Sequence, residues 1–368
     1  MTIKRVGVIG SGQLGRMMAL AGTPLNVEFV FYDEAKVSPS SRLGETILPS
    51  NENSLDHFIN SVDVITYESE NTSVELVDKI IQKKPVHPGK SSLSNSQHRL
   101  TEKELFRSLG IATANFERVT SFEELEEAVS KLGLPIVLKT TREGYDGKGQ
   151  ALIKQVEDIE SAWKKLQGKE LIAEAFVNFS RELSVIAVRS TAGEIKVYPI
   201  AENDHSDGIL RVSRVPAKNL SNEKEAQAKE FISSLLSKLD HIGVLTLELF
   251  DTESGLVANE MAPRVHNSGH WSMQGAYTCQ FENHIRAICG MPLGSTEMSQ
   301  PNAAMINIIG KNGDSNRVLS LPNAHLHMYG KEERPDRKIG HINLTSQCSS
   351  DIERDIDHLK DFVTECGK

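Results

Sequence analysis

Cysteine is scarce in this chain and shows no pattern. The four present, Cys279, Cys289, Cys348 and Cys366, are scattered without a CxxC spacing, which argues against a paired-cysteine zinc site and a stapled secreted fold. A reducing compartment is the simpler setting. Long apolar runs are also missing: no stretch of about 18 apolar residues occurs, and MTIKRVGVIGSG enters a short strand where a signal peptide would carry its apolar region. The expected location is therefore cytoplasmic, with no membrane partner. Positive charge is not in excess either. A formal net charge of −9 and a pI near 5.8 offer no general attraction for phosphate backbones, so nucleic acid is not an expected partner. What remains, 368 residues with 39% hydrophobic and 25% charged, describes a soluble globular chain of two or three domains.

The first 33 residues have the form of a doubly wound α/β sheet. A strand (Val6 to Ile9) passes through Gly10, Gly12 and Gly15 into a helix, and VEFVFYD follows as a second strand ending at Asp33. In a dinucleotide-binding protein Asp33 would hold ribose hydroxyls, which makes an oxidoreductase the first hypothesis; the same turn also serves other phosphorylated ligands, or none. VDVITYESEN reads as a further strand opening into an acidic loop with Glu68, Glu70 and Asn71.

Further along, QHRLTEKELFRSLG reads as an amphipathic helix. Thr101 and Glu104 are spaced as a capping box, Gly110 is the stop, and Arg99 sits just before the helix. LPIVLKTTREGYDGKGQALI then gives strand, glycine-rich loop, strand. Gly144, Gly147 and Gly149 surround Tyr145, Asp146 and Lys148, a composition suited to covering a polyphosphate. It lacks the GxxxxGK[ST] spacing of a P-loop and joins two strands. A helix near Val156 to Leu166 and another from Ser221 follow, and between them lie strands bearing Glu174, Glu182 and His205.

VLTLELFDTESGLVANEMAP reads as a hairpin about Ser254 in which Glu248 faces Glu260. Like charges directly opposite are unfavourable. Either one carboxyl stays protonated or a cation lies between them, and the hard oxygen ligands fit a Mg²⁺–nucleotide site. Strict alternation turns Asn259 away from Glu260, so a metal role for it requires a bulge.

Taken together, EGYDGKGQ, ELF and NEMAPRVHNSGHW resemble the ATP-grasp superfamily. GSGQLGRMMALAG, TYESEN and KEERPDRKIGHIN resemble, more narrowly, its 5-(carboxyamino)imidazole ribonucleotide synthase family of purine biosynthesis. The likeness runs along the whole chain, with three departures: Ser11 and Asp336 replace usual glycines, and Ser69 a common aromatic residue. It implies an ATP-dependent carbon–nitrogen ligase that carboxylates 5-aminoimidazole ribonucleotide with bicarbonate through carboxyphosphate, using ATP and Mg²⁺. A formate-dependent glycinamide ribonucleotide transformylase is the alternative of the same architecture; an oxidoreductase would leave most motifs without tasks.

The resemblance also implies roles. Arg99, Lys139 and the loop Gly144, Tyr145, Asp146, Gly147, Lys148, Gly149 and Gln150 would engage ATP phosphates. Backbone at Glu174, Ala175, Phe176 and Val177 would read adenine, and Glu182 and His205 would complete that pocket. Glu248 and Glu260, helped by Asn259, would hold Mg²⁺. Asp146, Lys331 and His270 are the expected catalytic groups. Lys331, Arg334, Arg337 and Lys338 would bind the ribonucleotide phosphate, with Gln13, Leu14, Glu70, His266, Asn267 and Ser268 beside the substrates. The expected architecture is an N-terminal Rossmann-like domain (1–96), an ATP-grasp domain (97–298) with a mobile lid at about 118–190, and a small β-rich C-terminal domain (299–368). A homodimer is implied.

Overall fold

The computed structural model describes residues 4–142, 144 and 149–366. Tyr145, Asp146, Gly147 and Lys148, to which the sequence assigns lid and proton-transfer roles, lie outside the described residues.

The N-terminal strands Lys4–Ile9, Val27–Tyr32, Glu45–Ile47 and Val64–Tyr67 form a parallel sheet with the first strand paired to both the second and the fourth. Period-two alternation splits this sheet between two cores. Ile9 and Ile65 pack with Phe58 and Ile80 of the helices Glu52–Asn60 and Val74–Ile81. Val6 and Val8 pack on the other face with Met17 and Met18 of helix Gln13–Gly22, in a core shared with Phe281 and Ile285 of helix Gln280–Ile288. The N-terminal sheet thus closes one face on the rest of the molecule.

That junction also carries two buried histidines whose partners fix their tautomers. His284 Nδ1 accepts from the Val244 N–H at 3.1 Å, so Nε2 bears the proton and donates to Thr66 Oγ1 at 2.9 Å. His241 Nε2 donates to the Val244 carbonyl at 3.0 Å, leaving Nδ1 to accept from Ser92 Oγ at 2.9 Å.

The centre is a nine-stranded antiparallel sheet. Its path runs Gly255–Ala262, Gly243–Thr252, Arg181–Arg189, Ala201–Ser206, Ile209–Val215, Asn302–Ile309, Lys338–Ser346 and Ala324–Met328, with Ile195–Val197 paired to Arg181–Arg189. The C-terminal strands therefore extend the central sheet and build no separate one. A smaller antiparallel sheet stands apart: Phe116–Val119, Leu171–Ala175, Ile136–Thr140 and Gln150–Ile153, backed by helices Phe122–Leu132 and Ile159–Leu166 around Leu125, Leu138 and Ile153. Arg181–Arg189, which the sequence grouped with the lid, pairs in the central sheet instead.

The helix read from QHRLTEKELFRSLG starts earlier than expected. It spans Arg99–Ser108 with His98 as N-cap, so Thr101 and Glu104 lie inside it and form no capping box. Arg99 is its first residue, fixed by its N–H donating to the Thr141 carbonyl at 3.0 Å. The stop is as expected, with Gly110 in the left-handed region at φ 73°.

Candidate active site

The hairpin of Gly243–Thr252 and Gly255–Ala262 does oppose Glu248 to Glu260, though by a different construction from a symmetric turn. Thr252 pairs with Gly255, so the turn is the two residues Glu253 and Ser254, and Leu249 pairs with Ala258. The register then shifts between Glu248 and Leu249. Asn259 is the extra residue of a β-bulge, which brings two consecutive residues, Asn259 and Glu260, to the wall of one cleft. The bulge that a metal role for Asn259 requires is present.

This cleft has a volume of about 720 Å³ and lies where the three parts of the chain meet. Arg99, Lys139, Gly144, Gln150, Glu182, His205, Asn259 and Glu260 line it together with Glu248. Gln13, Leu14, Glu70, Asn267, His270 and Lys338 line it as well. Gly149, Glu174, Ala175, Phe176, Val177, Ser268, Lys331, Arg334 and Arg337 are not in its wall. Ser268 acts from behind, its Oγ 2.8 Å from His266 Nδ1. Ala175 and Phe176 spend their N–H groups on the Asn115 and Pro135 carbonyls, which removes those two donors from adenine reading. Lys331 is half-buried with its Nζ 6.0 Å from the centre of the Tyr329 ring, and Tyr329 does line the cleft.

Electrostatics explain how the two carboxylates coexist. Burial and the facing Glu260 push the Glu248 carboxyl up to about 8. Glu260 accepts from Arg99 Nη1 at 2.8 Å, while Arg99 Nη2 donates to the Gly144 carbonyl at 3.2 Å. Burial thus disfavours charge on Glu248 while the Arg99 guanidinium balances Glu260. Among the described residues no group of three His, Cys, Asp or Glu side chains could hold a metal alone. Two carboxylates on rigid strands suit an ion that keeps water and phosphate oxygens in its remaining positions, as Mg²⁺ does. The donor set therefore fits Mg²⁺ held by Glu248, Glu260 and the bulged Asn259.

Arg264, which the sequence reading did not single out, also lines the cleft. Arg264 is paired to Glu70 through Nε. Burial works against ionising Glu70, yet Arg264 holds its carboxyl at about 2, so the pair stays ionic. Its signal was available as a charged residue two positions before His266. His266 Nε2 lies 3.4 Å from Glu248 Oε1, and burial with Arg264 nearby lowers the imidazole to about 3. Asn267 forms a reciprocal amide pair with Asn307 at 2.9 and 2.7 Å. His270 is deeply buried, its ring tilted against those of Phe281 and His341, and held neutral chiefly by burial. His205 lies 3.2 Å from Glu182; burial lowers it, but the carboxylate wins and its pKa rises.

At the first glycine motif, a protein carboxylate occupies the place of a phosphate. Glu68 accepts from the Gly12 N–H and, at 2.7 Å, from the Gly15 N–H. A Cβ on Gly10, at φ 98°, would come within 2.6 Å of the Glu68 side chain. Asp33 accepts from Ser11 N and Oγ at 2.7 and 2.6 Å. The groups that would take a dinucleotide are engaged within the protein, and Ser11, a departure from the usual glycine, gains a partner.

Two sheets closing on one cleft, with a glycine-rich hairpin on the smaller and paired carboxylates on the larger, define an ATP-grasp ligase. The sequence matches the ATP-grasp domain over residues 104–281, the ribonucleotide synthetase preATP-grasp domain over 3–97 and the phosphoribosylaminoimidazole carboxylase C-terminal domain over 303–355. It is 41% identical over 369 residues to the N5-carboxyaminoimidazole ribonucleotide synthase of Vibrio cholerae, covering 98% of this chain and 96% of that protein. The chain belongs to the N5-carboxyaminoimidazole ribonucleotide synthase family. Among solved structures, the Thermus thermophilus synthetase superposes with a TM-score of 0.92 at 43% identity, covering 97% of this chain and 98% of that one. The Aspergillus clavatus synthase in complex with ADP and 5-aminoimidazole ribonucleotide superposes with a TM-score of 0.91 at 30% identity, covering 98% and 99%.

Proposed function

We propose that this chain carboxylates 5-aminoimidazole ribonucleotide in an ATP- and bicarbonate-dependent step of purine biosynthesis. The observation that carries this reading is the single cleft, in which the carboxylate hairpin and Lys139 meet Gln13 and Glu70 of the N-terminal domain and Lys338 of the C-terminal strands. Nucleotide and ribonucleotide sites would then share one wall.

A bicarbonate oxygen attacks the γ-phosphoryl group of ATP, ADP leaves, and carboxyphosphate forms. It breaks down to CO₂ and inorganic phosphate, and the substrate amine bonds to the CO₂ carbon with loss of a proton. Mg²⁺, when bound by Glu248, Glu260 and Asn259, would neutralise charge on the phosphates. Arg264, oriented by Glu70, supplies fixed positive charge for bicarbonate or carboxyphosphate, and Asn267 is held in one orientation by Asn307. Lys331, pushed down to about 8 by burial and by Arg337, is suited to exchanging a proton or steadying an anion. His270, neutral and enclosed, contributes shape more readily than charge. With Arg334, Arg337 and Lys338, Lys331 would also bind the 5′-phosphate. A site this reactive must exclude water, which is the part assigned to the glycine-rich hairpin. The reading includes a cytoplasmic homodimer; light scattering of the purified protein tests the assembly.

The test is ADP release with Mg-ATP and bicarbonate, with and without 5-aminoimidazole ribonucleotide. Strong stimulation with detection of the carboxylated product is expected. Turnover with formate and glycinamide ribonucleotide instead would replace this reading.

Asp336 gives a smaller prediction. It holds φ 60° in an exposed turn, a conformation for which glycine carries no side-chain penalty, and it places negative charge in the basic loop. Asp336→Gly is expected to lower the KM for the ribonucleotide by about two- to threefold, the effect of removing one screened charge. Thermal stability is expected to change by less than ~1 kcal/mol, because glycine's added freedom in the unfolded chain offsets the relieved strain.

A further inference from the structure

Glu174 is a buried carboxylate with two ammonium partners. It is 4% exposed at the end of strand Leu171–Ala175. Lys139, on the adjacent strand and lining the cleft, places Nζ 3.0 Å from Oε2. Lys103, from helix Arg99–Ser108, places Nζ 3.3 Å from Oε1. Lys103 is 1% exposed, outside the cleft wall, and its Nζ also lies 3.4 Å from the carbonyl of Asn259, the bulged residue of the carboxylate hairpin.

One carboxylate needs one counterion, and burying a second ammonium carries a desolvation penalty of several kcal/mol. The two contacts also differ in quality. Lys139 makes a true hydrogen bond, whereas Oε1, on the Lys103 side, has an ion pair but no hydrogen-bond partner. The Lys103 side has slack, and Lys139 is the partner at the cleft.

We propose that Lys103 is a standby counterion, a positioning residue that keeps Glu174 paired when nucleotide phosphates draw Lys139 away. The inference rests on the nucleotide reading of the cleft. Without Lys103, releasing Lys139 would strand a buried carboxylate, so Lys139 would stay on Glu174 and polyphosphate affinity would fall. Its contact with the Asn259 carbonyl ties the same exchange to the bulge that presents Asn259 and Glu260. Burial opposes ionising Glu174, but with both lysines in place Lys139 and Lys103 hold its carboxyl at about 2; burial likewise lowers the Lys103 ammonium and Glu174 works against that, so the two buried groups support each other's charge.

The experiment is calorimetric titration of ATP and AMP into wild type, Lys103→Met, Glu174→Gln and the double variant, all with Mg²⁺. Lys103→Met is expected to weaken ATP 10- to 100-fold and AMP less than threefold, because AMP has no β- or γ-phosphate to draw Lys139. In the double variant no charge is stranded, so its ATP affinity should lie within threefold of Glu174→Gln alone. That comparison also serves should Lys103→Met not fold. Equal weakening of ATP and AMP, unchanged ATP affinity in Lys103→Met, or a tenfold gap between Glu174→Gln and the double variant would each overturn the proposal. If wild type binds neither nucleotide, the underlying functional reading fails instead.

Discussion

Glu248→Gln is expected to lower ribonucleotide-stimulated ADP release by at least about a thousandfold, the scale of losing a group that acts on developing charge in the transition state. The same variant should be more stable than wild type in the absence of nucleotide and metal. In the folded protein burial and the facing Glu260 push the Glu248 carboxyl up to about 8, against the ordinary 4.5 of the unfolded chain. Between those values the unfolded chain gives up a proton that the fold retains, so this residue increasingly destabilises the protein as pH rises. The gain from Gln should be on the order of 1–3 kcal/mol at pH 7 and vanish near pH 4.5. Paired denaturant titrations at the two pH values, beside the turnover assay, check both halves. Loss of activity with loss of stability would indicate a structural role for Glu248.

Acidification is the second large effect, and it has the opposite sign. His241, His266 and His284 are held near 3 by burial, His327 near 4, and His270 and His341 lower than the ordinary range. A histidine depressed in the fold stabilises it above the unfolded pKa of about 6.5 and loses that contribution as pH falls towards the folded value. Glu102 and Glu248, both raised to about 8, oppose this with two protons. With His87 also lowered and the Glu68 carboxyl also raised by burial, seven histidines stand against three carboxyls, a net loss below pH 6.5, so stability should peak near that pH. His241 and His284 alone contribute on the order of 4 kcal/mol between pH 6.5 and 5, at about 1.4 kcal/mol per pH unit each. Protonating His284 also sets an imidazolium N–H against the Val244 N–H. His284→Gln should reduce the acid slope by about one proton, read from denaturation midpoints across that range. An unchanged slope would mean that His284 already titrates normally.

The carboxylate hairpin was legible because its pairing is local: two strands, a short turn and two glutamates a dozen positions apart. The bulge at Asn259 left no mark of its own, since Asn, Glu and Met alternate no differently from a regular strand, although a metal role for Asn259 made it a requirement. Contacts across long separations were invisible. Glu68 reaches Gly12 and Gly15 over more than 50 positions, and in TYESEN it reads as one more solvated acid. Lys103 and Glu102 were lost for a related reason, because charge on an amphipathic helix ordinarily marks the face turned to water. Here both are buried, Glu102 accepting from the Met261 N–H at 2.8 Å. The capping box failed because tertiary contact through Arg99 N–H and the Thr141 carbonyl starts the helix earlier than its local sequence suggests.

The continuity of the central sheet bears on how the chain is made. Ile209–Val215 pairs on one side with Ala201–Ser206 and on the other with Asn302–Ile309, which leaves synthesis almost 90 positions later. Until then its outer row of N–H and C=O groups is an open edge, the kind of surface that recruits strands from other chains. The last sixty or so residues act as a closing seam on the nascent protein, and a cut between the matched domains at about residue 300 would leave a sticky half-sheet in place of an independent module.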